Sequence, residues 1–145
     1  MNRKRLKSRG YLTPDAKENP KIITVAQEVG WSVVKVSSDF TDATDEAIAK
    51  KYGKGRSILL TYDKEAYIYY KHGEGFAGFI EHPTLKKDNI DVFCSNFKNI
   101  LSSFTSNDIT GHRLIVDDKG ETYEKIPIYG EKKRKKDKPR KKRDR

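Results

Sequence analysis

The sequence lacks most devices that fasten a chain from outside its own core. It has 145 residues with one cysteine, one methionine and one tryptophan. A lone thiol, Cys94, excludes an intramolecular disulfide and a cysteine-based zinc cluster, and it reads as a buried apolar residue in a reducing compartment. No apolar run approaches the roughly 20 residues of a membrane helix. The start, "MNRKRLKSRG", has no apolar segment of the kind a secretory signal requires. A cytoplasmic protein with no membrane association is the expectation. The histidines, His72, His82 and His112, are too far apart for a ligand motif, and "GKGRS" at 53–57 precedes an apolar run rather than a helix, so it reads as a turn and not a phosphate loop.

Apolar residues are also scarce, at 34% against 36% charged, but the charge is not evenly spread. Residues 131–145, "EKKRKKDKPRKKRDR", carry a net +8, and residues 1–10 carry five basic residues and no acid. With the whole chain at +10, residues 11–130 are left at −3. The composition therefore divides the chain into a basic arm over 1–10, one domain over 11–130 and a disordered basic tail over 131–145. A mildly acidic body between basic arms suits a metal-binding site that must approach a polyanion. Lys132, Lys133, Arg134, Lys135, Lys136, Arg140, Lys141, Lys142 and Arg143 are the residues expected to hold phosphates, through charge and without sequence preference.

Within the body, short apolar runs alternate with helical periodicity. Tyr11 and Leu12 suggest a short strand before a loop punctuated by Pro14 and Pro20; Ile22, Ile23, Ala26 and Val29 recur at helical spacing and stop at Gly30. "WSVVKVS" (31–37) reads as a strand, and Ala47, Ile48 and Tyr52 follow a capping Thr44 or Asp45 as a second helix. "SILLTYDKEA" (57–66) is a strand that breaks into acids, followed by a short tyrosine-rich helix over 65–71. Residues 75–82 form another strand candidate. Over 88–104, Ile90, Phe93, Cys94, Phe97, Ile100, Leu101 and Phe104 share one helical stripe. "HRLIVDDKGETYEKIPI" is a terminal hairpin with a "DDKG" turn. This alternation predicts an α/β fold with a mostly parallel sheet covered on both faces.

In such sheets ligands bind beyond the carboxyl ends of the strands. Asp63 follows an interior strand directly, and Asp15, Asp45, Glu46 and Glu65 join it if the strand ends converge. Carboxylates of this kind suit Mg²⁺ or Mn²⁺, which take oxygen ligands, keep several waters and activate water against a phosphodiester. Structural roles compete with this reading: Asp45 and Glu46 open a helix, where acids are favoured in any case, and Asp15 could simply make a turn. Tyr62, Tyr67, Tyr69 and Tyr70, interleaved with lysines, could stack on bases or simply pack half-buried.

Three stretches carry a resemblance: Gly30-Trp31 ahead of the second strand, Thr44-Asp45-Glu46-Ala47-Ile48 at a helix start, and Thr61-Tyr62-Asp63-Lys64-Glu65 at a strand end. In this order they resemble the small PIN-like proteins related to the nuclease toxins of toxin–antitoxin pairs, over residues 11 to about 128. The sequence departs from that pattern at "YLTPDAKEN", where a proline precedes the acid, at Glu65, which replaces an aspartate, and at Ala66, where an aromatic is usual. The resemblance implies a three-layer α/β/α sandwich and a Mg²⁺-dependent ribonuclease site. Asp15, Asp45 and Asp63 would bind metal, and Glu46 or Glu65 would support the ion or its water. RNA is the implied substrate, and an acidic antitoxin, another protein or a second copy of the chain are implied partners. The alternative is a non-catalytic nucleic-acid-binding or ribonucleoprotein assembly protein on a degenerate PIN-like fold.

Overall fold

A computed structural model of the chain describes residues 8–15, 18–34, 57–69 and 76–128. These residues form strands β1 (Tyr11–Pro14), β2 (Ser32–Val33), β3 (Ile58–Thr61), β4 (Gly78–Glu81), β5 (His112–Val116) and β6 (Tyr123–Pro127). They also form helices α1 (Pro20–Glu28), α2 (Ile90–Ser103) and α3 (Ser106–Ile109), with a 3-10 turn at Ala66–Tyr69. The strands make one sheet in the order β2-β1-β3-β4-β5-β6. The first five are parallel and β6 returns antiparallel to β5. The expected α/β fold with a mostly parallel sheet is therefore present. Among the described residues no helix is long and apolar enough to cross a membrane.

Strand β3 lies between β1 and β4, and all four of its residues are buried. An interior parallel strand is covered on both faces, so it reads as a continuous apolar run rather than an alternation. Leu12, Ile58, Leu60, Ile80, Leu114 and Val116 point into the main core, where Ile22 and Ala26 of α1 meet Ile90, Phe93, Phe97, Ile100 and Leu101 of α2. The stripe expected over 88–104 is the buried face of α2, with Cys94 only half-buried at its margin. Leu59 and Phe79 point to the opposite face and are buried there, with Phe76 edge-on to Phe79. At Gly78 a Cβ would lie 2.3 Å from the Ile109 carbonyl oxygen, so only glycine lets α3 come this close to β4.

Local chemistry sets the element ends. Pro20 opens α1, and the Asn19 side chain accepts the Lys21 N–H at 2.8 Å, closing one of the donors that a helix start leaves unpaired. Beyond α1, Gly30 takes φ +106° and turns the chain into β2. Trp31 is buried there and donates its indole N–H to the Leu101 carbonyl at 3.0 Å. Pro14, expected in a loop, is instead the last residue of β1. Successive residues of a parallel strand bond to alternate sides: Leu12 bonds toward β2 and Asp15 toward Leu60 of β3. The N–H that Pro14 lacks therefore belongs on the β2 side, where that strand has already ended. The tyrosine-rich helix expected over 65–71 is the 3-10 turn as far as Tyr69; Tyr70 and Lys71 lie outside the described residues. The helix expected near Thr44 and the strand beyond Val34 also lie outside them. The terminal hairpin is present, its turn held by Asp117 Oδ1, which accepts the N–H groups of Glu121 and Thr122 at 2.8 and 3.1 Å.

The parallel strands give the sheet two unlike poles. Their carboxyl ends carry the candidate site. At the amino pole Gly10 leads into β1, and Pro127 of β6 lies beside His112. Arg9, assigned to the basic arm by its charge, is tied to the body at this pole. Its N–H donates to the Gly30 carbonyl at 3.0 Å, and its guanidinium donates to the Val29 carbonyl at 2.9 Å, where a cation complements the carboxyl end of α1.

Candidate active-site crevice

Successive strands are laid down on opposite sides of β1: β2 on one side, β3 on the other. The connections leaving the carboxyl ends of β1 and β3 thus diverge, which opens a crevice between those ends. Asp15 leaves β1 at this point, with its N–H donating to the Leu60 carbonyl at 2.9 Å. Thr61 closes β3 with its side chain fully buried, and its hydroxyl makes two bonds. It donates to Asp15 Oδ2 at 3.0 Å and accepts the Asp63 N–H at 3.0 Å. Asp63 in turn accepts the Glu65 N–H on Oδ1 at 2.9 Å, a side-chain turn that starts the 3-10 segment. Asp15 and Asp63 are both half-buried at the lip, whereas Glu65 is exposed.

The end of β4 adds a second polar layer. Thr61 is paired in register with Glu81, and the His82 N–H donates to the Thr61 carbonyl at 3.1 Å. The Glu81 carboxylate, 3% exposed, accepts two bonds from Arg113 of β5, from Nε at 2.7 Å and from Nη2 at 2.9 Å. Charge-assisted forked pairing of this kind is strong and directional. Hydrogen bonding to Glu81 pushes the Arg113 pKa up, outweighing the opposing effect of burial. The same guanidinium lies 3.8 Å over the Tyr67 ring and reaches the Lys64 carbonyl at 3.5 Å, so it braces the segment that follows Asp63.

On the other side of the sheet end, Glu18 and His82 meet, their side chains 1% and 2% exposed. His82 Nε2 lies 3.0 Å from each Glu18 carboxyl oxygen, and Nδ1 donates to the Pro83 carbonyl at 2.7 Å. The imidazole sits between Tyr62 and Phe93, at ring-centroid distances of 6.1 and 5.3 Å. Burial raises the pKa of the Tyr62 hydroxyl, and the negative charges of Asp15 and Glu18 raise it further. Asp15 and Glu18 thus place negative charge near the Tyr62 hydroxyl.

Of the residues singled out from sequence, Asp15 and Asp63 are joined through Thr61, and Glu65 follows on the same turn. Asp45 and Glu46 lie outside the described residues, as do the nine basic tail residues expected to hold phosphates. Among the described residues, no three histidine, cysteine or acidic side chains form a group that could hold a metal ion. Two carboxylates at a crevice are still a donor set that suits Mg²⁺, an ion often bound by one or two carboxylates together with water and substrate phosphates. Sequence reasoning passed over Glu18, Glu81 and Arg113, and set His82 aside with the other histidines for want of ligand spacing, although it is buried. The rule that selects Asp63, a polar residue directly after a buried strand, also selects Glu81 and His82 in "GFIEHP". Compared with protein-family models, with characterised proteins and with solved structures, the chain matches none.

Proposed function

We propose that the chain is a metal-dependent ribonuclease of PIN-like type, built as a three-layer α/β/α sandwich, with Asp15 and Asp63 as metal-binding acids. The observation that supports it is the Thr61 hydroxyl, which binds Asp15 and Asp63 at once where the chain diverges from β1 and β3. Two carboxylate-bearing segments with fixed backbones at a switch point make a pre-organised acceptor for a hard cation. Asp45 is the third acid of this reading, with Glu46 or Glu65 in support. Mg²⁺ or Mn²⁺, when bound, would supply an activated water and charge neutralisation at the phosphodiester. The residues of the chain then have separate tasks. Asp15 and Asp63 provide oxygen donors, Thr61 holds the Asp15 carboxylate and the Asp63 backbone, the Glu65 N–H holds the Asp63 carboxylate, and the Arg113–Glu81 pair stiffens the segment after Asp63. The lysines and arginines of residues 131–145 hold RNA by charge.

The test is cleavage of single-stranded RNA by the full chain with and without Mg²⁺ or Mn²⁺. Asp63→Asn, with folding verified by circular dichroism, is expected to lower the metal-dependent rate by about two orders of magnitude, corresponding to a few kcal/mol of lost charge stabilisation. A chain that binds RNA through residues 131–145 but does not cleave it with either ion would refute the hydrolase and identify the non-catalytic assembly protein.

A further inference from the structure

The Glu18–His82 pair needs an explanation that stability does not provide. A carboxylate and an imidazole withdrawn almost wholly from water carry a desolvation cost of several kcal/mol, and apolar side chains of the same size would fill the space as well or better. The pair is nevertheless built with care on both sides. The Pro83 carbonyl can only accept, so Nδ1 carries a proton and the ring cannot flip without losing that bond. Tyr62 and Phe93 flank the ring and fix its plane. Glu18 is equally constrained, since its N–H donates to the Asp15 carbonyl at 3.0 Å and Asn19 beside it caps α1.

These bonds close a circuit. Thr61 Oγ1 holds the Asp15 carboxylate, and the Asp15 carbonyl holds the Glu18 N–H. The Glu18 carboxylate holds the His82 ring, and the His82 N–H returns to the Thr61 carbonyl. We propose that Glu18 and His82 are positioning residues that lock the β1–α1 loop to the end of β4 and so fix the Asp15 carboxylate at the crevice. The pair acts through Asp15 and is not itself catalytic. The role rests on the hydrolase reading, in which Asp15 is a metal-binding acid. Partners of this kind, one shell removed from a ligand, set its orientation and commonly change metal affinity by about ten- to a hundredfold when removed.

The experiment compares the full wild-type chain with two variants. Glu18→Met/His82→Phe replaces the pair by apolar groups of similar size and leaves no buried charge, so its urea midpoint is expected to match or exceed that of the wild type. Glu18→Gln preserves the contact, because the amide offers Nε2 both a donor and an acceptor. In the double variant the Mg²⁺ concentration for half-maximal cleavage is expected to rise about tenfold or more, and the Asp15 and Glu18 amides to exchange hydrogen faster. Glu18→Gln is expected to stay within about threefold of wild type on both measures. Unchanged Mg²⁺ dependence in a folded double variant would overturn the proposal, as would loss of Mg²⁺ affinity in Glu18→Gln with the contact intact. If the double variant does not fold, Glu18→Ala replaces it, and wild-type protection of the Asp15 amide there would overturn the lock. Amide exchange separates the two readings. Faster exchange in the double variant, with a wild-type chain that never cleaves RNA, supports the lock and sinks the hydrolase, and unchanged exchange in the double variant of an active enzyme does the reverse.

Discussion

Thr61→Val tests the central contact of the crevice with little change of shape. Valine is nearly isosteric with threonine and favoured in strands, so the substitution removes the hydroxyl and leaves the packing of β3 in place. The hydroxyl is fully buried and bonded at 3.0 Å to both Asp15 Oδ2 and the Asp63 N–H. Loss of a hydrogen bond to a charged carboxylate costs about 1.5–3 kcal/mol, and an N–H that loses its acceptor costs about 1 kcal/mol where water can take over in part, as it can at half-buried Asp63. The expected sum is about 3 kcal/mol, a lowering of Tm by roughly 10 °C for a domain of this size. The only tryptophan, Trp31, is buried and reports unfolding directly. Its emission through a urea titration gives the free-energy difference. Thr61→Ser keeps both bonds and is expected to lose only about 1 kcal/mol for the missing methyl. A valine variant within about 0.5 kcal/mol of wild type, the range of an ordinary surface change, would mean that the hydroxyl does not hold the two acids and would refute the reasoning.

Two further substitutions address the surroundings. Arg113→Met strands the buried Glu81 carboxylate and is expected to cost about 3–5 kcal/mol by chemical denaturation, with Arg113→Lys recovering only part because lysine cannot form the fork. At the start of α3, the Asp108 carboxyl is held below its usual pKa by the Thr105 N–H at 2.8 Å and then by the Thr105 hydroxyl at 3.1 Å. A depressed folded-state pKa contributes stability that is complete above the unfolded value of about 3.9 and lost as pH falls through the folded value. Unfolding followed from pH 6 to pH 2 is therefore expected to show a steeper acid loss for wild type than for Asp108→Asn.

How far the sequence could be read depended on where each signal lies. The stripe of α2 was legible because one-sided burial leaves a helical period in the chain, and the run of β3 because burial on both faces leaves an unbroken apolar stretch; the place of Asp63 just beyond that stretch was legible with it. Pro14 misled, since its missing N–H matters only if a partner strand is present, and β2 stops just short of it. The four-residue helix "SNDI" is too short to show a period. Glu18 and His82 stand 64 residues apart, and only the placement of β4 two strands from β1 brings them together. Glu81 and Arg113 meet for the same reason, through pairing of neighbouring strands that no local pattern encodes. The expected three-acid cluster depends on Asp45, which lies outside the described residues.

The return of β6 to the amino pole has a consequence for how an RNA would be handled. Both charged extensions are anchored on the side of the sheet away from Asp15 and Asp63, separated from them by about the length of a strand, on the order of 15 Å. On the nuclease reading proposed above, that distance would have to be crossed either by the bound RNA or by the extension that holds it. Trimming residues 131–145 should weaken the grip while leaving the chemistry of a saturated complex unchanged.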